Sequence, residues 1–262
     1  MSKGKYYFSK SLEKGLKILS LFNRENPTMT QSEIAKTLDL NMTSTYRYIN
    51  TLVELGYLEK DPRTKVIRPA ILCQPFCNNL MRASDHISLI QGVIDQVYSD
   101  HNISIEVAFV VADTIVRIYH KSAAETLTYR LPDSTSHSLH NTALGKAYLS
   151  CLEKKQLKQK MKTMVLTAKT PQTITTKKAL LAELETARQR GYTMNVEEYL
   201  PGLIAIAAPL KDPRDGKGVG AVSFDFSVLQ NSAANIEAEY ADLIREVAGV
   251  LSGLVPPERT AG

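Results

Sequence analysis

Residues 30–56 read TQSEIAKTLDLNMTSTYRYINTLVELG, and this stretch decides how the N-terminal part of the chain folds. Glu33 follows Thr30 at the spacing of a capping box, and apolar residues then recur at helical spacing. Asn41 can cap a second helix, which Gly56 can end. The pattern predicts two short helices joined by a tight turn, that is, a helix-turn-helix.

The second helix of this pair has two chemically different faces. One face can be buried and consists of Thr45, Ile49, Leu52 and Val53. The other carries hydroxyl, phenol, guanidinium and amide groups and consists of Thr43, Tyr46, Arg47 and Asn50, with Ser44 beside it. Such groups bond to phosphates and to base edges, which predicts that this helix enters the DNA major groove. The alternative is an ordinary helical hairpin with a solvated polar face.

The residues after Gly56 favour the DNA-binding interpretation. Residues 57–60 and 65–68 read as two strands, and the four residues between them form a turn with Pro62 at its second position. A two-stranded wing after a recognition helix makes a winged helix-turn-helix. Arg63 and Lys65 at the tip of the wing are predicted to contact phosphate.

Length and composition indicate a soluble globular protein of two domains. The chain has 262 residues, of which 44% are hydrophobic and 23% are charged. No apolar run approaches the roughly 18 residues that a membrane helix needs. The basic N-terminus lacks the apolar core of a signal peptide, so a cytoplasmic location is expected.

The net charge of +5 is confined to one part of the chain. Residues 1–70 contain 12 Lys and Arg against 7 Asp and Glu, whereas residues 71–262 contain 20 of each kind. A positive excess on the candidate DNA-binding segment is what electrostatic attraction to phosphates requires.

The rest of the chain predicts an α+β fold. Residues 70–81 read as a helix interrupted by Pro75 and residues 85–98 as a longer helix. The period then changes to two, as in a half-buried strand at 103–111, followed by a tight turn at Asp113-Thr114. Further strands are expected at 115–120, 127–131, 192–198, 203–210 and 218–226. One further helix is expected to begin near Asn141 and a second, basic helix to end near Met164, and two more are expected at 177–190 and 233–254. Strands, then helices, then strands indicate one curved, mostly antiparallel sheet with helices outside.

The predicted domains are therefore a DNA-binding domain at 1–70, a helical linker at 71–84 and a second domain at 85–256. Because the linker is helical rather than rich in Gly and Ser, the two domains are expected to be coupled in orientation.

Three cysteines and two histidines are the candidates for metal or catalytic chemistry. Cys73 and Cys77 are four residues apart, but no further ligand set completes a zinc site, so reduced buried thiols are expected. An enzyme using His137, His140 or Cys151 is the competing interpretation, in which the DNA-binding domain would be accessory. The sequence lacks the catalytic motifs of hydrolases, metalloproteases and phosphate-binding loops, and it predicts no catalytic residue, metal or cofactor. His140 is expected to cap or to pack beside a helix start.

Four blocks of sequence in order resemble the IclR family of bacterial transcriptional regulators. They are SLEKGLKIL near the start, SEIAKTLDLNMTSTYRYINTLVELGYLEKD, HNTALGKAYLS, and RGYTMNVEEYLPGLIAIAAPLKD followed by GVGAVSF. The resemblance implies an N-terminal winged helix-turn-helix, a helical linker and a C-terminal effector-binding domain related to GAF-type sensors. It also implies homodimers, often paired into homotetramers, that dimerise mainly through the DNA-binding half.

The resemblance further implies a small-molecule pocket on one side of the C-terminal sheet. Carried over by position, it comprises Ala143 and Leu144 through their backbone N–H groups, together with Asn195, Ala205, Ser223 and Asp225. N–H groups at a helix N-terminus favour an anion such as a carboxylate. For each residue the alternative is ordinary packing of the sheet, and a C-terminal domain that only oligomerises is the corresponding alternative for the whole domain.

Three pocket positions depart from the pattern of some members of the family. Those members carry an acid in place of Asn195, a Cys in place of Ala205 and a hydroxyl in place of Asp225. Asp225 would repel a carboxylate unless it is protonated or turned away, which argues against the smallest keto acids. A larger, partly apolar acid, aromatic or acyl, suits Leu144 and Ala205 better.

Overall fold

The structure is a computed structural model, and it describes residues 7–23, 26–83, 85–124, 135–136 and 138–255. The chain divides into two compact units, Met1–Ala83 and Ser84–Gly262. The first unit is mainly helical and the second is built on an antiparallel sheet, so the predicted α+β class is confirmed.

The N-terminal unit has four helices and three short strands within the described residues. In chain order they are α1 (Lys10–Leu19), β1 (Met29–Thr30), α2 (Gln31–Thr37), α3 (Met42–Glu54), β2 (Leu58–Lys60), β3 (Val66–Pro69) and α4 (Cys73–Arg82). Ile18, Ile34 and Ile49, from the first three helices, form its core together with Leu58 and Ile67 of the wing.

The helix ends of the predicted helix-turn-helix are where the sequence places them. The hydroxyl of Thr30 accepts from the Glu33 backbone N–H at 3.3 Å, and the Glu33 carboxylate accepts from the Thr30 N–H at 2.7 Å, which completes the capping box. Asn41 Oδ1 accepts from the Ser44 N–H at 2.8 Å and caps α3. Gly56 follows α3 with φ +76°, a left-handed conformation that glycine adopts without strain.

The wing contains a strand that the sequence analysis missed. Met29 and Thr30 pair with Ile67 and Val66, so β1 extends the wing to three strands in the order β1-β3-β2. Two residues carry no periodic signal, and their pairing partners are more than 30 positions away along the chain. Strand β3 extends one residue beyond the predicted 65–68, and Pro69 forms its last pair, opposite Leu58. An edge or terminal position tolerates proline because no ladder hydrogen bond is lost.

The prediction of an interrupted helix at 70–81 is wrong. Helix α4 begins at Cys73 and runs without a break to Arg82. Pro75 lies in its first turn, where a backbone N–H would have no partner inside the helix, so proline is accommodated there. Ser84, the last residue of the predicted linker, lies outside the described residues.

The C-terminal unit contains six strands and five helices in its described part. In chain order they are α5 (Asp85–His101), β4 (Ser104–Val111), β5 (Thr114–Lys121), β6 (Thr135–Ser136), α6 (Ala143–Ser150), α7 (Lys154–Thr163), α8 (Lys177–Arg190), β7 (Thr193–Val196), β8 (Leu203–Lys211), β9 (Gly218–Ser227) and α9 (Ala233–Gly253). The predicted strand at 127–131 lies outside the described residues.

Helices cover both faces of one six-stranded sheet, whose order is β6-β5-β4-β9-β8-β7 with antiparallel neighbours throughout. One face packs with α5 and α9, and the other packs with α6, α7 and α8. The half-buried strand predicted at 103–111 is therefore buried on both faces at its centre, where Ile105 and Val107 face one core and Ala108 faces the other.

The β4–β5 hairpin turns one residue earlier than predicted. Val111 pairs with Thr114, and the two turn residues Ala112 and Asp113 have φ values of 48° and 66°. Two successive residues with positive φ are the mark of a type I′ turn, whose twist matches that of a hairpin. Within the described residues, no helix has the length and apolar character that crossing a membrane requires.

Candidate functional site

The two faces of α3 separate as the sequence predicts. Ile49 and Leu52 are buried in the core of the N-terminal unit, and the hydroxyl of buried Thr45 donates to the Asn41 carbonyl at 3.0 Å. Thr43, Tyr46 and Arg47 are exposed, and Ser44 and Asn50 are partly exposed. The exposed side of α3 thus presents one guanidinium, one phenol, one amide and two hydroxyls in a single row.

The wing adds positive charge beside this row. Lys60 Nζ lies 5.4 Å from the centre of the Tyr46 ring, a cation–π distance that connects the wing to α3. At the tip, Asp61 Oδ1 accepts from the backbone N–H groups of Arg63 and Thr64 at 2.8 and 2.7 Å. These bonds lower the pKa of the Asp61 carboxyl. The turn is therefore fixed by the Asp61 side chain. Arg63 and Lys65 are both exposed there, and Lys65 Nζ donates to the Pro62 carbonyl at 2.7 Å.

In the C-terminal unit, four of the residues implied by the resemblance lie on one face of the sheet. Asn195, Ala205 and Asp225 are directly opposite one another on β7, β8 and β9, and Ser223 lies in the next row, opposite Ala207. Directly paired residues share a face, and Ala205 and Ala207 pack in the core that contains α6. Ala143 and Leu144, at the start of α6, belong to the same core.

The N-terminus of α6 has unused hydrogen-bonding capacity. Its cap Thr142 accepts from the Gly145 N–H at 3.1 Å, and no acceptor in the described part of the chain reaches the N–H groups of Ala143 and Leu144. Asn141, two residues before α6, is only 1% exposed, and neither Nδ2 nor Oδ1 of its side chain has a hydrogen-bond partner among the described residues. A buried amide without partners is costly, so this end of α6 is suited to a polar ligand group.

The side chain of Asn195 is committed to the protein itself. Its Nδ2 donates to the Asn141 carbonyl at 2.6 Å, and its Oδ1 accepts from the Glu198 N–H at 3.1 Å. The role of Asn195 in a ligand pocket stays a prediction; in the structure each end of its amide holds one backbone group, and the bond to Asn141 attaches the segment before α6 to β7.

Two charged residues beside Ser223 were not predicted. Glu106 on β4 is directly opposite Ser223, and the Ser223 hydroxyl lies 3.4 Å from Glu106 Oε1 and 3.3 Å from Asp225 Oδ1. Arg117 Nε donates to Glu106 Oε2 at 2.5 Å. Burial raises the pKa of Asp225 well above its usual range, the nearby charge of Glu106 raises it further, and Arg117 opposes the rise.

A second buried ion pair was also missed. Lys146 in α6 is fully buried, and its Nζ donates to Glu198 Oε1 at 2.5 Å and to the Met194 carbonyl at 2.8 Å. Within the described part of the chain, Glu198 Oε2 is buried without a hydrogen-bond partner, and burial raises the pKa of Glu198 although Lys146 opposes the rise. The isolated lysine in the apolar stretch ALGKAYLS was the signal that could have indicated a buried charge.

Comparison with protein families gives two matches that together span most of the chain. Residues 11–62 match the IclR helix-turn-helix domain, and residues 79–253 match the C-terminal domain of the bacterial transcriptional regulator IclR. The chain belongs to the IclR family. It is a DNA-binding transcriptional regulator of the IclR type, with the winged helix-turn-helix in its N-terminal unit.

Individual IclR-family proteins are similar along nearly their full length. The HTH-type transcriptional regulator BhcR of Paracoccus denitrificans is 27% identical over 253 residues, which cover 97% of this chain and 90% of that protein. An IclR transcriptional regulator from Alicyclobacillus acidocaldarius has a TM-score of 0.84 at 19% identity, covering 95% of this chain and 99% of that one. An IclR homologue from Microbacterium hydrocarbonoxydans, crystallised with 4-hydroxybenzoate, has a TM-score of 0.74 at 19% identity, covering 93% and 98%.

The structure describes two of the three candidate catalytic residues of this IclR regulator, His140 and Cys151, and both lie among packed side chains. His140 is buried, its Nε2–H donates to the Thr167 carbonyl at 3.0 Å, and burial lowers its pKa. Burial raises the pKa of the Cys151 thiol to about 11, which suppresses the reactive thiolate. His137 lies outside the described residues.

The expectation of buried thiols is wrong for Cys77 and only partly met at Cys73 and Cys151, which are half-buried. Cys77 is exposed, whereas the Cys73 thiol donates to the Tyr57 carbonyl at 3.0 Å. Among the residues that the structure describes, no cluster of three or more His, Cys, Asp or Glu side chains could hold a metal ion.

Proposed function

We propose that this regulator binds its operator through the exposed row of α3 and through the tip of the wing. Thr43, Ser44, Tyr46, Arg47 and Asn50 enter the major groove, and Arg63 and Lys65 hold phosphates. The observation that carries the proposal is the arrangement of five polar side chains on the solvent-facing side of α3. Asn41 caps this helix, and the wing follows it directly in the chain. A helix presented in this way docks into a major groove.

The second part of the proposal is that a small organic acid binds in the C-terminal unit and changes operator affinity. The carboxylate is held by the N–H groups of Ala143 and Leu144 and by the Asn141 amide, which have no acceptor or partner in the described residues. Ala205 and the apolar core beside α6 contact the body of the acid, and Ser223 and Asp225 lie at its other end. Asn195 positions Asn141 through the bond to its carbonyl.

An aromatic acid is the favoured class. The core around Ala205, Ala207 and Leu144 is apolar, and its two alanines present only methyl groups, which suits contact with the flat face of a ring. The structurally similar Microbacterium protein binds 4-hydroxybenzoate. Catalysis is not part of the proposal, because burial suppresses the Cys151 thiolate and His140 is engaged with a backbone carbonyl. As a DNA-binding regulator, the protein is proposed to act in the cytoplasm.

The protein is further proposed to act as a homodimer or homotetramer. Large apolar side chains remain exposed on α1 and around α4 in the N-terminal unit, among them Leu12, Leu16, Ile71 and Leu80. Exposed apolar surface of this extent marks a protein–protein interface. We expect sedimentation of the purified chain at micromolar concentration to give at least the dimer mass, and Leu12→Glu combined with Leu16→Glu to give mainly monomer. A wild-type chain that sediments as a monomer contradicts the proposal.

The experiment that tests the function is a titration of fluorescent DNA from the region upstream of the gene, followed by anisotropy. Specific binding is expected, and addition of a panel of carboxylic acids is expected to shift the dissociation constant for at least one acid. Equal binding to unrelated DNA would contradict the operator-binding half of the proposal, and the absence of any acid effect would contradict the effector half.

Removal of the Ser223 hydroxyl tests effector binding independently of operator binding. We expect Ser223→Ala to reduce the acid-induced shift in operator affinity about tenfold, which corresponds to a lost hydrogen bond of roughly 1–1.5 kcal/mol, while operator affinity without acid stays within twofold. The matched control is Ser252→Ala in α9, which should keep the full acid response. Loss of operator affinity and acid response together would indicate a folding defect rather than the proposed role.

A further inference from the structure

The sheet face that carries Ser223 holds more hydrogen-bonding groups than a carboxylate ligand alone would use. Glu106, Ser223 and Asp225 adjoin one another across β4 and β9, and all three are buried. The Ser223 hydroxyl has a single hydrogen, so it can donate to only one of the two carboxyl groups at a time. Two buried carboxyl groups therefore share one hydroxyl donor.

The one guanidinium of this cluster is already engaged. Arg117 Nε donates to Glu106 Oε2, and Arg117 therefore balances the charge of Glu106. The pKa of His120, directly opposite Glu106, is lowered by desolvation and by the nearby charge of Arg117, which disfavours its charged form. Asp225 is left with Ser223 as its hydrogen-bond donor among the described residues, and its second oxygen has none. Asp225 is thus the member of the cluster with hydrogen-bonding capacity to spare.

Asp225 and the N-terminus of α6 are separated by a distance that a small ligand can span. Asn195, Ala205 and Asp225 are consecutive across three strands, which places Asn195 and Asp225 roughly 10 Å apart at their Cα atoms. Asn195 holds the carbonyl of Asn141 at 2.6 Å, and the Asn141 amide is itself buried without partners. Polar groups that can accept or donate further hydrogen bonds therefore lie at two places, at Asn141 and at Asp225, one on each side of Ala205.

From this arrangement we propose that the effector is a hydroxy acid, with its hydroxyl on the end opposite the carboxylate and bound by Asp225. The proposal rests on the proposed function, since it assumes that the carboxylate lies at the start of α6. Ser223 and Glu106 orient the Asp225 carboxyl. Asp225 is the residue that selects hydroxylated acids over acids that lack the hydroxyl.

The charges of the cluster explain why a hydroxyl is favoured over a charged group. Because Glu106 and Arg117 already neutralise each other, neither compensates a charged group on the ligand, and burying such a group without compensation is costly. Burial raises the pKa of Asp225, which favours its protonated form. A protonated carboxyl both donates and accepts, and a hydroxyl does the same, so the two groups satisfy each other without burying a net charge.

The experiment measures binding of matched acid pairs to the full chain by calorimetry. The pairs are benzoate with 4-hydroxybenzoate, and hexanoate with 6-hydroxyhexanoate; 4-(aminomethyl)benzoate and terephthalate represent the ammonium and the second carboxylate. For the wild type, we expect the hydroxylated acid of at least one pair to bind at least about tenfold more tightly than its partner acid, because an acid without the hydroxyl leaves Asp225 without a ligand hydrogen bond. The two charged analogues should bind more weakly than the hydroxy acid.

Variants then assign the preference to Asp225. In Asp225→Ala the ratio of the two dissociation constants is expected to fall to about one, whereas Asp225→Asn, whose amide still bonds to a hydroxyl, should keep part of the preference. Asp242→Ala removes an exposed carboxylate of α9 and should keep the wild-type ratio. A circular dichroism spectrum and melting curve for each variant separate a lost contact from a lost fold.

The experiment distinguishes failure of the hydroxy-acid proposal from failure of the proposed effector binding. If acids bind but the hydroxyl gives no preference, if the preference survives in Asp225→Ala, or if a charged analogue binds more tightly, the hydroxy-acid proposal is wrong and the effector site stands. If no acid of either pair binds, both the effector half of the proposed function and this proposal are contradicted.

Discussion

Replacing Lys146 by Met is expected to lower the free energy of unfolding by about 3–5 kcal/mol, because the change leaves the Glu198 carboxylate buried without its partner. Lys146 is fully buried and donates to Glu198 and to the Met194 carbonyl. Among the described residues Glu198 Oε2 already has no hydrogen-bond partner, so loss of the ammonium leaves the buried carboxylate without its counter-charge. For a unit of this size the melting temperature should fall by roughly 10 °C.

The control for this prediction is the double variant Lys146→Met with Glu198→Leu. Removing both charges avoids the uncompensated carboxylate, and replacing a buried pair by apolar residues is often neutral. We therefore expect the double variant to regain most of the lost stability, measured by urea unfolding followed by circular dichroism. A single variant as stable as the wild type, or a double variant less stable than the single, would show that the pair does not act as described.

Replacing Arg47 by Ala is expected to weaken operator binding about 10- to 100-fold, which corresponds to roughly 1–3 kcal/mol for an arginine that reads a base. Arg47 lies on the exposed face of α3, one helical turn after Thr43 and next to Tyr46. The side chain makes no contribution to the core of the N-terminal unit, so the variant should melt within about 2 °C of the wild type.

The salt dependence of binding distinguishes the two roles that Arg47 can have. If it reads a base, the loss is confined to operator DNA and relaxes specificity at one position. If it holds only a phosphate, affinity falls for all sequences and the slope of log K against log salt drops by about one. Arg245→Ala, in the C-terminal unit, removes the same charge and serves as the control. An Arg47→Ala protein that binds operator and unrelated DNA as the wild type does would rule out both roles.

The helix-turn-helix could be predicted from the sequence because its signals are local. The capping box at Thr30, the cap at Asn41 and the left-handed Gly56 each act within four residues of the helix end that they define. The faces of α3 follow from a period that spans only 13 residues. Interactions between residues so close in the chain can be recognised from the sequence, and the tertiary structure does not change the helix ends that they define.

The missed features depend on residues that are far apart in the chain. Lys146 and Glu198 are separated by 52 positions, and nothing local indicates that two charged side chains meet in a core. Strand β1 exists only because β3 lies beside it. Strand β4 was expected to be half-buried because alternation reveals one apolar face, whereas in the sheet its second face is also buried at Glu106 and Ala108.

The candidate effector site was located by the family resemblance and completed by the structure. Its positions at Ala143, Leu144, Ala205, Ser223 and Asp225 came from the resemblance to the IclR family rather than from periodicity. The structure adds what the resemblance could not supply: Glu106 and Arg117 beside Ser223, and the unpartnered amide of Asn141 before α6. Polar groups on neighbouring strands are brought together by register, and register over long separations cannot be read from one sequence.

The most direct measurement of the central claim is the thermodynamic cycle of operator and acid on one preparation of the full chain. Operator affinity is measured with and without saturating acid, and acid affinity is measured for the free protein and for the operator complex. Linkage requires both pairs of dissociation constants to change by the same factor, which we expect to be at least about fivefold. An acid that binds the free protein and the operator complex with equal affinity would contradict a sensor domain that controls DNA binding.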